Sequence, residues 1–330
     1  MKYEHVVAFV AGELWALMPE KLGQITAALA LKAAGEDVDP AEVAAIAAAA
    51  RRPGGAGGGT GVAVLPLHGV IAHRAGMVAE SSGGTSVERF RAQLRQVADD
   101  PNVSAIVLDV DSPGGGVTGV GELADDVYRA RGRKPVVAVA NSLAASAAYW
   151  VASQADEVVV IPSGDVGSIG VFAAHQDLSR ALEMRGIRTT LIAAGRRKAE
   201  GSPYGPLSEE ALAHIREGVD HYYAEFTRAV ARGRRVPVAD VRGERFGEGA
   251  VLRAQNAVAR GMADRVGTLE QVVQELAGGR WEKPLRAAVL DEAPGIAADA
   301  DGPQAAEPTA PVRLADTAAY RLRRARIAAR

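Results

Sequence analysis

The sequence contains no cysteine among its 330 residues. This absence excludes a disulfide framework, a thiolate metal site and a cysteine nucleophile. The six histidines show no HExxH motif or other paired spacing, so neither a zinc hydrolase nor another metal site is expected. The 38 basic and 40 acidic residues nearly cancel, which argues against a protein that mainly binds nucleic acid. Aromatic residues make up only 5%, so a core must be built mainly from Ala, Val, Leu and Ile.

Long hydrophobic runs are also missing. Nowhere do 18 consecutive apolar residues occur, so we expect no transmembrane helix. The apolar stretch near the amino terminus is interrupted by Glu4, His5 and Glu13 and lacks the basic region of a signal peptide. We therefore expect a soluble, cytoplasmic protein without a membrane anchor.

Composition divides the chain into four regions. Residues 1–50 show apolar residues at helical spacing, which predicts a small helical segment. Residues 51–61, RRPGGAGGGTG, have the composition of a flexible linker. Residues 62–280 form the main domain, and residues 281–330 are a charged, low-complexity tail that we expect to be disordered. Six arginines within residues 313–330 suit either a basic helix for an acidic partner or a frayed terminus.

The main domain alternates short apolar runs with amphipathic stretches. This alternation predicts an α/β fold with buried parallel strands. Strands are predicted at 61–71, 104–110, 135–140, 157–162, 168–174 and 188–194, and helices at 86–100, from about 120 to 131, 143–154 and 207–233.

Three polar or glycine-rich loops follow predicted strands, where ligand chemistry concentrates in such sheets. The first loop holds Gly114, Gly115 and Gly116, whose backbone N–H groups would be unobstructed. It could form an oxyanion hole, or be a tight turn; a P-loop is excluded because no GK[ST] follows. The second loop carries Ser146 among alanines near a predicted helix start, and the third carries Lys198 in a basic stretch.

Each loop has an ordinary structural interpretation. A serine among alanines is common packing in a buried helix, and Ser142 and Ser153 are rival hydroxyls with no better claim. A lone lysine in a basic loop is usually solvated. A Ser-His-Asp triad is hard to assemble, because no G-x-S-x-G motif occurs and no histidine adjoins a serine motif. A Ser–Lys dyad remains available, in which the lysine acts as the base when it is neutral.

Taken together, the three loops resemble the S49 serine peptidases, the signal peptide peptidase A family. The matching stretches are VLDVDSPGGGV (107–117), LAASAAYWVASQADEVVV (143–160), GDVGSIGV (164–171), the loop around Lys198, and GAVLRAQNAVARGMADRVGTLEQVV (249–273). The resemblance covers about residues 62–275. It implies a ClpP/crotonase-type α/β fold, a superhelix of ββα units.

The resemblance also implies roles for single residues. Ser146 matches the nucleophile, Lys198 the general base, and Ser168 the serine that holds the lysine amine. Gly114 or Gly115, together with Ala147, would donate the N–H groups of the oxyanion hole. Where the family usually has Ser-Gly-Gly, this chain has Ser-Ala-Ala. No cofactor is implied, and the family's ring assembly implies a homo-oligomer with sites at subunit interfaces.

Within the family, LWALMPEKL (14–22) resembles the opening of phage capsid proteases of the lambda protein C type. This subgroup implies a head maturation protease that cleaves capsid, portal or scaffold proteins in the host cytoplasm or within the procapsid. A soluble signal-peptide-peptidase-like protease, a crotonase-like acyl-CoA enzyme and a non-catalytic capsid assembly factor are the alternatives.

Overall fold

The computed structural model describes residues 14–23, 61–74 and 84–284. The strands of this part are β1 (Leu14–Leu17), β2 (Val62–His68), β3 (Ile71–Ala72), β4 (Thr85–Ser86), β5 (Ala105–Ser112), β6 (Gly114–Gly116), β7 (Val136–Ala145), β8 (Glu157–Val160), β9 (Asp165–Gly167), β10 (Phe172–Ala173), β11 (Val251–Arg253) and β12 (Arg265–Val266). The helices are α1 (Val87–Asp99), α2 (Val120–Ala130), α3 (Ala147–Ala152), α4 (Ser179–Glu183), α5 (Glu209–Arg234), α6 (Val238–Arg242), α7 (Ala254–Ala259) and α8 (Leu269–Ala277).

Two sheets organise the described residues. The larger sheet has the order β11-β9-β7-β5-β2, with β8 beside β7 and β12 beside β8. Its central strands β2, β5, β7 and β8 are parallel. The smaller sheet has the order β10-β1-β6-β3-β4. The chain passes from the larger to the smaller sheet at Pro113, between β5 and β6, so the glycine segment lies at the junction of the sheets.

Both faces of the larger sheet are covered. On one face Ile106, Leu108 and Val110 of β5 join the main core with α1, α2, α3 and α5. On the other face Ala105 and Val107 pack against α8. Burial of both faces explains why these strands are continuous apolar runs without alternating polar residues.

Helix α5 reaches the centre of the domain and lies against α3. A Cβ added at Gly233 would lie 2.2 Å from the backbone oxygen of Ser153, so only glycine allows this approach. The next residue, Arg234, is buried and forms hydrogen bonds of 2.8 and 3.0 Å with the two carboxylate oxygens of Asp264. Asp264 also accepts a hydrogen bond from the Val158 N–H at 2.7 Å. This group joins α5, β8 and the turn before β12.

The α/β class predicted from the sequence is confirmed. The predicted strands within 61–71, 104–110, 135–140 and 157–162 are present, as is the long helix near 207–233. None of the helices in the described ranges has the length and hydropathy of a membrane span.

Three local predictions are wrong. Residues 188–194 are irregular because no neighbouring strand pairs with them, and Ile192 is 97% exposed. The helix predicted from Leu143 begins only at Ala147, because β7 continues to Ala145 in order to pair with β9. Within the segment expected to be helical, residues 14–17 form a strand that pairs on both edges. The remainder of that segment, the linker up to residue 60 and the tail from residue 285 lie outside the described residues.

Candidate active site

Ser146 lies at the turn from β7 into α3. Its backbone has φ 55° and ψ −122°, which residues other than glycine rarely adopt. The turn is fixed on both sides: the Ser146 N–H donates to Gly167 O at 2.7 Å, and its carbonyl accepts from the Trp150 N–H at 2.9 Å. Among the described residues, the hydroxyl makes one weak hydrogen bond, to Gly170 O at 3.5 Å. A strained strand-to-helix turn thus presents a hydroxyl that is not committed to a strong bond.

The flanking alanines explain why the chain can make this turn. Ala145 and Ala147 are fully buried, and larger side chains would have no space there. The geometry is that of a nucleophile turn, although the sequence lacks the G-x-S-x-G motif that would have revealed it. Ala147 is the first residue of α3, and the first N–H groups of a helix have no acceptor within the helix.

The glycine segment lies directly against Ser146. Gly114 has φ +98°, and a Cβ added to it would lie 2.9 Å from the Cβ of Ser146 and 2.2 Å from Ala16 O. The Gly114 N–H donates to the Ser112 hydroxyl at 3.2 Å. A Cβ on Gly115 would lie 1.8 Å from Ile71 O. The structure therefore brings the predicted glycine loop and the predicted nucleophile together.

Ser168 follows β9 and has φ 54°. Its N–H donates to Ala250 O at 2.8 Å, which anchors it to the residue before β11. The carbonyl of the preceding residue, Gly167, accepts a hydrogen bond from the Ser146 N–H. A single backbone hydrogen bond thus links Ser146 to the residue next to Ser168. Ser168 is 8% exposed, and this backbone hydrogen bond links it through Gly167 to the candidate nucleophile.

Lys198 is placed differently. It lies in a loop of turns, is exposed, and donates its backbone N–H to Gly195 O at 3.1 Å. The loop is held to α5 by a 2.8 Å contact between Glu200 and His214 and by an ion pair between Arg196 and Glu210. In the described part of the chain, no hydrogen bond connects Lys198 to Ser146 or Ser168.

The rival hydroxyls differ from Ser146. Ser153 is fully buried, donates to Trp150 O at 2.9 Å and accepts from the Gln154 amide at 2.8 Å. Ser142 has a positive φ of 158° but is exposed to solvent. Ser146, by contrast, packs against Gly114 of the glycine segment.

A polar group at the end of the larger sheet was not predicted. His68 lies 3.1 Å from Asp109, which also accepts from the Asn141 amide at 3.0 Å. These side chains of the neighbouring strands β2, β5 and β7 satisfy one another. No hydrogen bond among the described residues extends from this group to Ser146.

No cluster of His, Asp or Glu with the arrangement of a metal site occurs in the described ranges.

Comparison with known proteins gives the class of this arrangement. Peptidase family S49 matches residues 129–283, which include Ser146, Ser168 and Lys198. Just under half of the chain is therefore similar to this peptidase family.

Among its relatives, the capsid assembly protease C of Escherichia phage lambda is 34% identical over 241 residues, which is 70% of this chain and 54% of the phage protein. The head-tail preconnector protein GP5 of Enterobacteria phage P21 is 35% identical over 206 residues, 62% of this chain and 40% of that protein. Protease 4 of Salmonella typhi is 29% identical over 199 residues, 60% of this chain and 32% of that protein. The chain thus spans about half the length, or less, of these relatives.

Among solved structures, a ClpP1 mutant from Listeria monocytogenes matches 64% of this chain and 94% of its own, with 14% sequence identity and a TM-score of 0.40. A similarity at this level is too weak to inform function.

Proposed function

We propose that the protein is a serine endopeptidase with Ser146 as its nucleophile. The observation that carries this proposal is the strained turn at Ser146, packed directly against the backbone of Gly114. In the reaction, the Ser146 oxygen attacks a peptide carbonyl while its proton passes to neutral Lys198. The protonated lysine then gives the proton to the departing amine, and water hydrolyses the acyl-enzyme.

Backbone donors would stabilise the charge that develops on the carbonyl oxygen. The Ala147 N–H at the start of α3 is one donor, and Gly114 or Gly115 supplies the other. Loss of one such donor typically costs about 3–4 kcal/mol of transition-state stabilisation. These donors are fixed in position by the β7–α3 turn and by the pairing of β6, so little reorganisation is required during the reaction.

Lys198 would reach Ser146 from a neighbouring copy of the chain in a homo-oligomeric ring. Its exposure in the single chain supports this arrangement, because an exposed side chain is accessible to a neighbouring subunit. Large apolar side chains on both sides of it are also exposed, as expected of an interface between subunits. These side chains are Leu178, Met184, Ile187, Leu191, Ile192, Tyr204 and Leu212. In this assembly Ser168 would hold the incoming amine beside Ser146.

The substrates would be proteins of a phage or prophage head: capsid, portal or scaffold proteins. The names of the lambda and P21 relatives, a capsid assembly protease and a head-tail preconnector protein, support this assignment. The reaction would then take place in the host cytoplasm or within the procapsid. The family's cellular members, such as protease 4, support a soluble cellular protease less strongly.

Intact-mass spectrometry of the purified chain, incubated with a capsid protein at pH 8, tests the proposal. Wild type should generate defined fragments, whereas Ser146→Ala and Lys198→Ala should generate none. Ser142→Ala is the matched control and should cleave like wild type. Fragments that persist in both Ser146→Ala and Lys198→Ala would refute the dyad. Partner binding without cleavage by any variant would indicate an assembly factor instead.

A further inference from the structure

Strand β1 is an extended segment held between two strands beside the candidate nucleophile. On one side it pairs antiparallel with β6, with Leu17 opposite Gly114. On the other side it pairs antiparallel with β10, where Leu14 faces Ala173 and Trp15 faces Phe172. Short peptides bind proteins in this way when they add a strand to a sheet. The chain therefore holds its own residues 14–17 as such a peptide would be held.

The carbonyl of Ala16 lies close to Ser146. A Cβ added to Gly114 would lie 2.2 Å from the Ala16 oxygen and 2.9 Å from the Ser146 Cβ. The Ala16 oxygen and the Ser146 Cβ therefore lie within about 5 Å of each other. A hydroxyl on that Cβ has a backbone carbonyl of an extended strand within its immediate surroundings. A peptide bound in the same place would have its carbonyl close to the candidate nucleophile.

The ladder between β1 and β6 also directs a donor at this carbonyl. The Met18 N–H donates to Pro113 O at 3.1 Å, and the Val117 N–H donates to Leu14 O at 3.2 Å. Hydrogen-bonded pairs alternate with non-bonded pairs along an antiparallel ladder. The pair midway between these two, Ala16 and Gly115, is therefore of the hydrogen-bonded type. The Gly115 N–H, a candidate oxyanion donor, is thus turned toward the Ala16 carbonyl.

The side chains of β1 alternate between two environments. Ala16 points inward and is fully buried in the main core. Trp15 and Leu17 point the other way and form a small separate cluster with Leu22 against Phe172. A small residue between two large apolar residues is thus the pattern that fits the space beside Ser146.

We propose that residues 14–17 occupy the peptide-binding slot of Ser146 in cis, so that β1 must leave before another peptide can enter. The slot accepts extended segments in which a small side chain lies between large apolar ones. The strand is not attacked in the single chain because Lys198 is exposed and makes no hydrogen bond with Ser146 there. This inference rests on the proposed function, since it takes Ser146 as the nucleophile.

A reversible covalent lock tests the inference directly. Leu14→Cys and Ala173→Cys place two thiols on directly opposed residues, and the chain has no other cysteine. The probe is a quenched fluorescent peptide with the sequence of residues 13–20. The oxidised double variant should lose at least 90% of the cleavage of this peptide, and reduction should restore it. Each single-cysteine variant, treated with the same oxidant, is the matched control and should not change.

A second variant distinguishes the two possible roles of β1, because these roles predict opposite changes in the rate of peptide cleavage. Trp15→Ala removes the largest anchor of the strand, and we expect peptide cleavage to become several-fold faster as the slot opens. Phe246→Ala is the control: it also removes a buried aromatic side chain, but one outside β1 and its neighbouring strands, and it should not accelerate cleavage. Cleavage that is equal in the oxidised and reduced locks, or slowed by Trp15→Ala, would overturn the inference and show that β1 is only structural.

Binding separates this inference from the proposed function. The lock is combined with Ser146→Ala, and binding of the labelled, uncleaved peptide is followed by fluorescence anisotropy. Binding only after reduction, together with an absence of cleavage by wild type, would refute the peptidase but retain the slot. Binding in both redox states would refute the slot whatever the activity.

Discussion

Substitution of Gly114 by alanine should damage the fold and the candidate active site together. The added Cβ would lie 2.2 Å from Ala16 O and 2.9 Å from the Ser146 Cβ, and both are closer than such atoms can approach. The φ of +98° adds strain of about 1–2 kcal/mol for a residue with a side chain. Overpacking of a tight site costs about 1–3 kcal/mol more. We therefore expect Gly114→Ala to lower the free energy of unfolding by about 2–5 kcal/mol.

Activity should fall further than stability. A displacement of Ser146 by about 1 Å is enough to reduce the rate about 100-fold. Thermal unfolding followed by circular dichroism and cleavage of a capsid protein measure the two effects, and the melting temperature should fall by roughly 5–15 °C. Gly205→Ala is the matched control, because it has no positive φ and no atom within 4 Å of the added Cβ. A Gly114→Ala protein that melts within about 2 °C of wild type and cleaves normally would refute this reasoning.

Three further predictions concern assembly and stability. Mixing inactive Ser146→Ala and Lys198→Ala chains, with subunit exchange, should restore about a quarter of wild-type cleavage if the dyad forms between copies. No recovery of cleavage would mean that the dyad does not form between copies. Arg234→Met should lower the free energy of unfolding by about 3–5 kcal/mol in urea titrations, because it leaves the Asp264 carboxylate buried without its ion pair; a loss below 1 kcal/mol would contradict the buried pair. Burial raises the pKa of Asp126, but hydrogen bonds and charges from neighbouring arginines outweigh it and hold the pKa below the ordinary 3.8. The ionised carboxylate therefore stabilises the fold above about pH 4, and this stabilisation is lost as the pH falls through the lowered pKa. Asp126→Asn should lower the free energy of unfolding at pH 7 and have a smaller effect near pH 2. An equal effect at both pH values would exclude the carboxylate charge as the cause.

The α/β architecture was predictable because it depends on local patterns. Strands such as β5 are covered on both faces and therefore read as continuous apolar runs, and the glycines after them mark a backbone that approaches another backbone. Gly114 and Ser146 follow the neighbouring parallel strands β5 and β7, so they lie at the same end of the sheet.

The errors arise where tertiary pairing decides local structure. The four residues of β1 are too few to show a period, and their strand conformation depends on β6 and β10 being on either side. The segment 188–194 contains amino acids that are typical of strands, but no described strand lies beside it to pair with. The turn at Ser146 could not be predicted from the sequence because its strain is supported by distant contacts, such as the carbonyl of Gly167. The proposed relation of Lys198 to the serines involves a second chain, which no local pattern describes.

Covalent labelling of the assembled protein tests the central claim most directly. Wild type is treated at pH 8 with a fluorophosphonate, which reacts with activated serine hydroxyls, and the adduct is mapped by peptide mass spectrometry. The account predicts a single adduct on Ser146 that disappears in Lys198→Ala and remains in Ser142→Ala. An adduct on Ser142 or Ser168, or an adduct on Ser146 that forms equally well without Lys198, would contradict it.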